Sequence, residues 1–281
     1  MAIELAIQYQ SYTDELFATE STKSLLTNQD FTWDGAHTIK IYRVSTSEMH
    51  DYGRAGPAPK QWSRYGPVAG LDATTQAMTL RKDRSFTFAI DKLDTDETRQ
   101  QLAAASALAR QLREVVVPEV DTYVYNEMCA NAGTVADPVT LDGATLYQAI
   151  ITGTEAMDDA EVPEQGRYIV ATPRVYRIMK TATDMTMETD ITNDMRIRGV
   201  IAMVDGMPIV RVPANRLPAD FGFLLVHPVA TVAPVKLEDY EIHENPPGIS
   251  GSLVEGRINY DAFVLDNKAK ALYYQPQTVE E

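Results

Sequence analysis

The stretch Asp94–Met128, DTDETRQQLAAASALARQLREVVVPEVDTYVYNEM, decides the architecture. Asp94 stands as a helix N-cap, and Glu97 three residues on completes a capping-box pattern. Leu102, Ala105, Leu108, Ala109, Leu112, Val115 and Val116 recur at spacings of three and four, which is one apolar stripe on a helix. The alanine-rich centre, Ala103–Ala109, has high helix propensity and lets a neighbouring element pack closely. Pro118 interrupts the run, but Val120, Tyr123, Val124 and Met128 resume the same period. Pro118 is therefore a kink, or a junction between two helices on one axis. Cys129, near the end of the helix, reads as a packed thiol.

Working back from this helix, Thr79–Ile90 alternates, with Phe86, Phe88 and Ile90 on one face, as a half-buried strand does. Before it, Gly53, Gly56, Pro57, Pro59, Gly66, Pro67 and Gly70 exclude a helix, so Tyr52–Ile90 reads as a long two-stranded loop. Thr38–Val44 is rich in β-branched and aromatic residues and follows the turn Trp33-Asp34-Gly35. Residues 1–51 read as an extended arm ending in that strand.

Working forward, Gly133–Gly143 is a breaker region, and Leu146, Ile150, Ile151 and Met157 mark a helix. Tyr168–Ala171 is a short buried strand, and Thr172-Pro173 is an N-cap with a first-turn proline opening a helix through Lys180. Val200–Val204 and Met207–Val212 flank Asp205-Gly206, a hairpin signal. Phe221–Val226 and Val229–Val235 are predicted strands, and Leu253–Leu265 with Ala269–Tyr274 read as a closing hairpin around Asp266-Asn267-Lys268. The mixture of segregated strands and helices is an α+β chain.

Charge separates these parts. The 281 residues carry 25 Lys+Arg against 40 Asp+Glu, a net charge of −15. Within Tyr52–Ile90, Arg54, Lys60, Arg64, Arg81, Lys82 and Arg84 outweigh Asp72 and Asp83, a local net charge of +4. The arm is the reverse, a net −5 over Met1–Asp51. A basic loop on an acidic body suits docking between copies, because opposite patches steer encounter and fix register. Arg54, Arg64, Arg81, Lys82 and Arg84 are thus the candidate intersubunit contacts.

Chemistry finds little support. An acidic chain argues against a protein whose task is gripping phosphates. One cysteine excludes a disulfide framework, and His37, His50, His227 and His243 show no H-E-x-x-H spacing. There is no P-loop, no G-x-G-x-x-G and no nucleophile elbow; Gly248-Ile249-Ser250-Gly251 reads as a flexible turn. Asp158-Asp159 and Glu238-Asp239 read as solvated pairs at element ends, and Asp190, Asp194, Arg196 and Arg198 as local ion pairs. No catalytic, cofactor or metal site is expected, and no apolar run reaches membrane-spanning length.

Several short motifs, in order, resemble the major capsid proteins of tailed bacteriophages, the Hong Kong phage fold that encapsulins share. Asp34-Gly35-Ala36-His37-Thr38-Ile39-Lys40-Ile41 is similar to the family's strand at the end of the arm, with Asp51-Tyr52 and Arg54 opening the loop. Asp83-Arg84-Ser85-Phe86-Thr87-Phe88 with Ile90-Asp91 resembles the return of the loop to the body. Val117-Pro118-Glu119-Val120-Asp121 resembles the middle of a spine helix. Tyr260-Asp261-Ala262-Phe263-Val264-Leu265, with Asn267-Lys268, resembles the last hairpin.

The resemblance implies a phage major capsid fold in four parts: an N-terminal arm (1–51), an extended loop (52–90), a peripheral domain with the spine helix (91–140 and 237–281) and an axial domain (141–236). It implies a major head protein that assembles with itself, as hexamers and pentamers, into an icosahedral shell around double-stranded DNA, without sequence-specific binding and without membrane contact. Scaffolding, portal and decoration proteins are the further partners implied, with assembly in the host bacterial cytoplasm and residence in the virion. The chain opens directly on the arm, which implies a separate scaffold or none. Lys60, Lys82 and Asn267 supply the residue types of the cross-link that some members form, with no motif to carry it over. The competing readings are an encapsulin-type compartment shell and, from another class, an acidic cytoplasmic enzyme using carboxylates such as Asp158 and Glu161.

Overall fold

A computed structural model describes residues 21–28, 30–31, 38–56, 62–68, 70, 72–97, 104–182 and 200–278. The turn Trp33-Asp34-Gly35, Lys60, and the 190–198 charge cluster lie outside them. The chain forms two compact units, Gly35–Thr79 and the remainder.

The smaller unit is a ribbon. Strand β1 (Thr38–Val44) pairs antiparallel with β2 (Ala73–Thr79) in unbroken register, from Thr38 opposite Thr79 to Val44 opposite Ala73. The Thr38 and Thr79 hydroxyls meet at 2.9 Å. The strand read as the end of the arm is therefore one leg of this hairpin. Beyond the paired strands, Ser45 N donates to Asp72 O and Gly53 N to Arg64 O, each at 2.9 Å. Gly53 is needed there, because a Cβ would lie 2.3 Å from the carbonyl oxygen of Gly56.

In the larger unit, β3 (Lys82–Asp91) joins β10 (Val235–Glu244) and β11 (Gly251–Tyr260) in a three-stranded sheet of order β10-β11-β3. The single strand expected over Thr79–Ile90 is thus two. The break falls at Arg81, whose backbone N–H donates to the Asp261 carboxylate at 2.8 Å instead of to a ladder carbonyl. The alternation of Phe86, Phe88 and Ile90 holds along β3, and Gly256 sits opposite Phe86. A Cβ on Gly256 would lie 2.4 Å from the Phe86 ring.

Three helical segments stand where the long helix is expected, and residues 98–103, with Leu102 and Ala103 of the expected stripe, lie outside the described residues. Helix α2 (Lys92–Glu97) starts two residues before Asp94, because the Asp91 carboxylate accepts from Leu93 N at 2.8 Å and takes the cap. Helix α3 (Ala104–Gln111) runs into one π-helical turn, Leu112–Val116, and then into α4 (Val117–Ala130). Val117 N donates to Leu112 O, five residues back. In a regular helix the Pro118 ring would strike the Glu114 carbonyl and leave it without a donor. The wider turn absorbs that conflict, so the axis continues through the proline.

A six-stranded sheet of order β4-β13-β8-β5-β7-β6 forms the main core. Its strands are β4 (Thr134–Val135), β5 (Tyr168–Ala171), β6 (Val200–Val204), β7 (Met207–Arg211), β8 (Phe221–Val226) and β13 (Leu272–Pro276). Every residue of β8 and β13 is buried, which both sheet faces being covered requires. Leu224 and Val226 point to one face, with Val120, Val124, Tyr125 and Met128 of α4. Phe223 and Leu225 point to the other, with helices α5 (Thr145–Asp159) and α6 (Pro173–Thr181). Thr172 caps α6 as expected, accepting from Val175 N at 3.2 Å. Asp205 and Gly206 turn β6 into β7 with φ of 48° and 74°, the pair of positive values a tight hairpin needs.

The closing region departs from its expected hairpin. Residues Asp266–Ala271 form 3-10 turns, and β13 pairs with β8 while β11 pairs with β10 and β3. An all-buried β13 belongs in the main core, whereas β11 alternates buried and exposed residues as a one-sided sheet does. Val229–Val235 likewise holds only the two-residue β9 (Thr231–Val232), paired with β12 (Phe263–Val264), before β10 begins. The six-stranded sheet therefore draws β4 and β13 from outside 141–236.

Candidate functional site

The short α1 (Lys23–Leu26) presses Leu26 into the core beside Tyr125, with no exposure left. Burying a leucine fully contributes about 2 kcal/mol. Polar contacts hold the same segment: Ser21 Oγ donates to Asp121 at 2.6 Å, and the Thr22 and Tyr125 hydroxyls meet at 2.9 Å. Asp121, 1% exposed, also accepts from Arg216 Nη1 at 2.9 Å. Burial pushes the Asp121 carboxyl above its ordinary range, opposed by the Ser21 hydrogen bond, Lys23 and Arg216. Burial also lowers Lys23, partly offset by Asp121 and Glu238. The segment 21–28 is thereby strapped to α4.

The five candidate contact cations fall into two groups. Arg81, Lys82 and Arg84 gather at α4, in the larger unit, and each is engaged there. Arg81 Nε lies 3.3 Å from Asp261 Oδ2, and the buried Asp261 also accepts from Tyr123 Oη at 2.7 Å and from Ala262 N at 2.8 Å. Lys82 Nζ stands 4.8 Å over the Tyr123 ring. Arg84 Nε donates to Glu119 at 2.7 Å, which also accepts from Tyr260 Oη at 3.3 Å. The Tyr123 and Tyr260 rings close the cluster edge to face at 5.7 Å. Three of the sequence motifs, around Arg84, Glu119 and Asp261, meet at this one place.

Arg54 and Arg64 belong to the ribbon. Both are exposed, and among the described residues neither has an ion-pair partner. Around them Met49, Trp62 and Tyr65 are 98%, 84% and 79% exposed, and the Tyr52 and Tyr65 rings meet edge to face at 5.0 Å. The sequence marked the arginines by charge but missed the apolar half of this tip, because isolated Trp and Tyr in a Pro/Gly-rich loop follow no period.

The remaining polar groups are structural. Asp158 pairs with the buried Arg167 at 2.7 Å. Glu238 and Asp239, read as lying at an element end, fall inside β10, where their alternate faces keep them exposed. His227 Nε2 lies 3.1 Å from Gln165 O, and burial lowers its pKa. His243 Nε2 lies 3.2 Å from Glu241 and 3.5 Å from Glu255. Cys129 is packed as expected, with its thiol pushed up to about 12 by burial. Among the described residues, no group of three or more His, Cys, Asp or Glu could hold a metal ion, and no helix is long and apolar enough to cross a membrane.

The fold has close relatives in solved structures. The chain superposes on that of Mycobacterium phage Che8 with a TM-score of 0.70 at 16% identity, covering 96% of each chain. It matches the capsid of cyanophage P-SCSP1u with a TM-score of 0.71 at 13% identity, over 98% of this chain and 93% of the other. It matches the mature capsid of bacteriophage PhiM1 with a TM-score of 0.71 at 13% identity, over 99% and 93%. No curated protein matches by sequence. The family model described as phage capsid protein matches residues 72–274, which takes in the three-stranded sheet, the six-stranded sheet as far as Tyr274, and the Arg84–Glu119–Asp261 cluster. With this match over most of its length, the chain belongs to the phage capsid protein family and is a structural protein of the virion shell.

Proposed function

We propose that this capsid protein is the major head subunit of a tailed phage. Its copies close as hexamers and pentamers into an icosahedral shell around double-stranded DNA. One observation carries the reading: the ribbon of the smaller unit carries Trp62 and Tyr65, 84% and 79% exposed, beside the exposed Arg54 and Arg64. A two-stranded ribbon is marginal alone in water, and these are the residue types that dominate protein interfaces. The tip is therefore built to be covered by another copy. A net charge of −15 suits an enclosure that holds DNA without gripping it.

Arg54 and Arg64 are the intersubunit cations in this reading, while Arg81, Lys82 and Arg84 are held by Asp261, Tyr123 and Glu119 within the larger unit. Scaffolding, portal and decoration proteins complete the head, and assembly takes place in the host bacterial cytoplasm. Sedimentation of the purified chain, alone and with its scaffold, tests the proposal. Closed shells sediment as a discrete species far above any ring of six, and a distribution ending at small oligomers refutes it.

A further inference from the structure

Helix α6 and the end of β7 differ in charge from the rest of the chain. Tyr168–Ala182 holds Arg174, Arg177 and Lys180 and no acid, in a chain of net charge −15. Val175 and Met179 form the buried side of α6, and the three cations are exposed. Spaced three residues apart, they step along the helix by about 4.5 Å at a time. Arg211 ends β7 opposite Ala171, just before the start of α6, and is exposed as well. One ring ties the set together: Lys180 Nζ stands 4.9 Å from the centre of the Tyr176 ring, and the Arg211 guanidinium 5.8 Å. Among the described residues, none of the four cations has an ion-pair partner. Arg174 also lies in the first turn of α6, where the helix dipole disfavours a positive charge. Four like charges so gathered repel, and an anion brought from outside relieves them.

The kind of anion follows from what the patch lacks. Exposed large apolar residues such as Trp62, Tyr65 and Leu93 lie elsewhere in the sequence, and Tyr168–Ala182 and Met207–Leu217 expose none. Protein interfaces are built on apolar and aromatic anchors, with charges thinned from their centres. Cations without such an anchor match a row of phosphates, onto which guanidinium groups fork. Double-stranded DNA offers one charge per about 1.7 Å of its axis, so cations about 4.5 Å apart meet phosphate in any sequence. We infer that the α6 face, with Arg174, Arg177, Lys180 and Arg211, is where the phosphate backbone of the enclosed DNA touches the shell. This inference rests on the reading of the chain as a shell around DNA, and adds the place and character of the contact. Tyr176 is half-buried and its ring is taken by Lys180 and Arg211, so the contact reads phosphate rather than bases. Four cations in a chain of net charge −15 keep the contact local and weak, and the acidic remainder repels DNA.

Binding of the unassembled chain to a short random-sequence DNA duplex, read by fluorescence anisotropy, tests the patch. Four phosphate contacts predict a slope of about −3.6 for log K against log salt, so affinity should fall roughly a hundredfold between about 50 and 200 mM salt. Arg174→Gln, Arg177→Gln, Lys180→Gln and Arg211→Gln together replace only exposed charges, and circular dichroism should show the fold unchanged. The fourfold variant should bind the duplex at least about tenfold more weakly at low salt and flatten the slope by about 3. Arg54→Gln with Arg64→Gln should change neither. Polyglutamate stands in for an acidic protein as the occupant. Polyglutamate bound as tightly as the duplex, or a duplex affinity indifferent to the four substitutions, overturns the inference. In assembled particles, acylation of Lys180 by a small amine-reactive reagent should be slower in DNA-filled shells than in emptied ones. Equal rates put the patch out of reach of the DNA and overturn the inference while leaving the shell reading intact. If the unaltered chain forms no shell with or without scaffold, the shell reading itself fails and the inference with it, whatever the duplex assay reads.

Discussion

Replacing Asp121 by alanine is the perturbation with the most sharply defined cost. Its carboxylate is 1% exposed and holds two partners, Arg216 at 2.9 Å and Ser21 at 2.6 Å. Arg216 is itself buried. Arg216 would lose the buried carboxylate that it meets at 2.9 Å. Breaking a buried pair from one side costs about 3–5 kcal/mol. Losing the Ser21 hydrogen bond adds roughly 1 kcal/mol, less where water replaces it. For a domain of this size, 1 kcal/mol is worth about 2–4 °C in melting temperature, so a total of about 4–6 kcal/mol should lower Tm by roughly 8–24 °C. Asp121→Leu combined with Arg216→Met removes both charges and should recover most of that loss. Urea unfolding followed by circular dichroism reads the stability. Limited proteolysis within residues 21–28 reads the strap, which Asp121→Ala should loosen ahead of global unfolding. A loss below about 1 kcal/mol, or a double variant no better than the single, would refute the claim that this pair is a buried structural lock.

Two further outcomes follow from the same structure. Burial and the neighbouring Glu119 push Tyr260 up to about 12, and Tyr123, Tyr125 and Tyr274 are raised as well. These folded values lie above the ordinary value of 10.0, so the associated stabilisation is whole below pH 10 and is lost as pH rises toward 12. Tyrosinate absorbance should lag the free-tyrosine curve until the fold melts in that window, and a curve centred at pH 10 on an intact fold would contradict the burial. Gly133→Ala would place a Cβ 2.4–2.5 Å from the backbone of Ala269 and Lys270, where no side chain can yield. A loss of about 1–3 kcal/mol in denaturant unfolding is expected, and an unchanged midpoint would show that β4 does not pack this closely.

What was legible in the sequence was whatever repeats with a period. The 3.6-residue stripe found α4, α5 and α6, and alternation found β3, with Thr172 and Asp205-Gly206 marking a cap and a turn that the structure keeps. The errors have a common source in competition between local signals and long-range partners. Asp94 looked like the cap, but Asp91 sits one turn earlier and wins the Leu93 N–H. Thr79–Ile90 looked continuous, yet Asp261, 180 residues away in sequence, draws off the Arg81 N–H and splits it. Leu253–Leu265 and Ala269–Tyr274 looked like neighbours because they are close in sequence, while burial sends β13 to β8.

The candidate site was half legible. Charge bookkeeping found a basic segment, but it could not tell cations that close an intrachain cluster from cations left exposed. That distinction depends on Asp261 and Glu119, which reach Arg81 and Arg84 only after folding. It also narrows the mutational test: reversing Arg81 would set two negative charges against each other at a buried carboxylate, whereas Arg54 and Arg64 can be reversed with little damage to the monomer.

Electron cryo-microscopy of particles assembled from the chain tests the central claim most directly. The account predicts closed icosahedral shells of five- and six-fold clusters, with density for each Gly35–Thr79 ribbon lying on a neighbouring copy and its Trp62 and Tyr65 rings buried there. Particles no larger than a dodecamer, or shells in which the ribbon tips stand free in solvent, would contradict it.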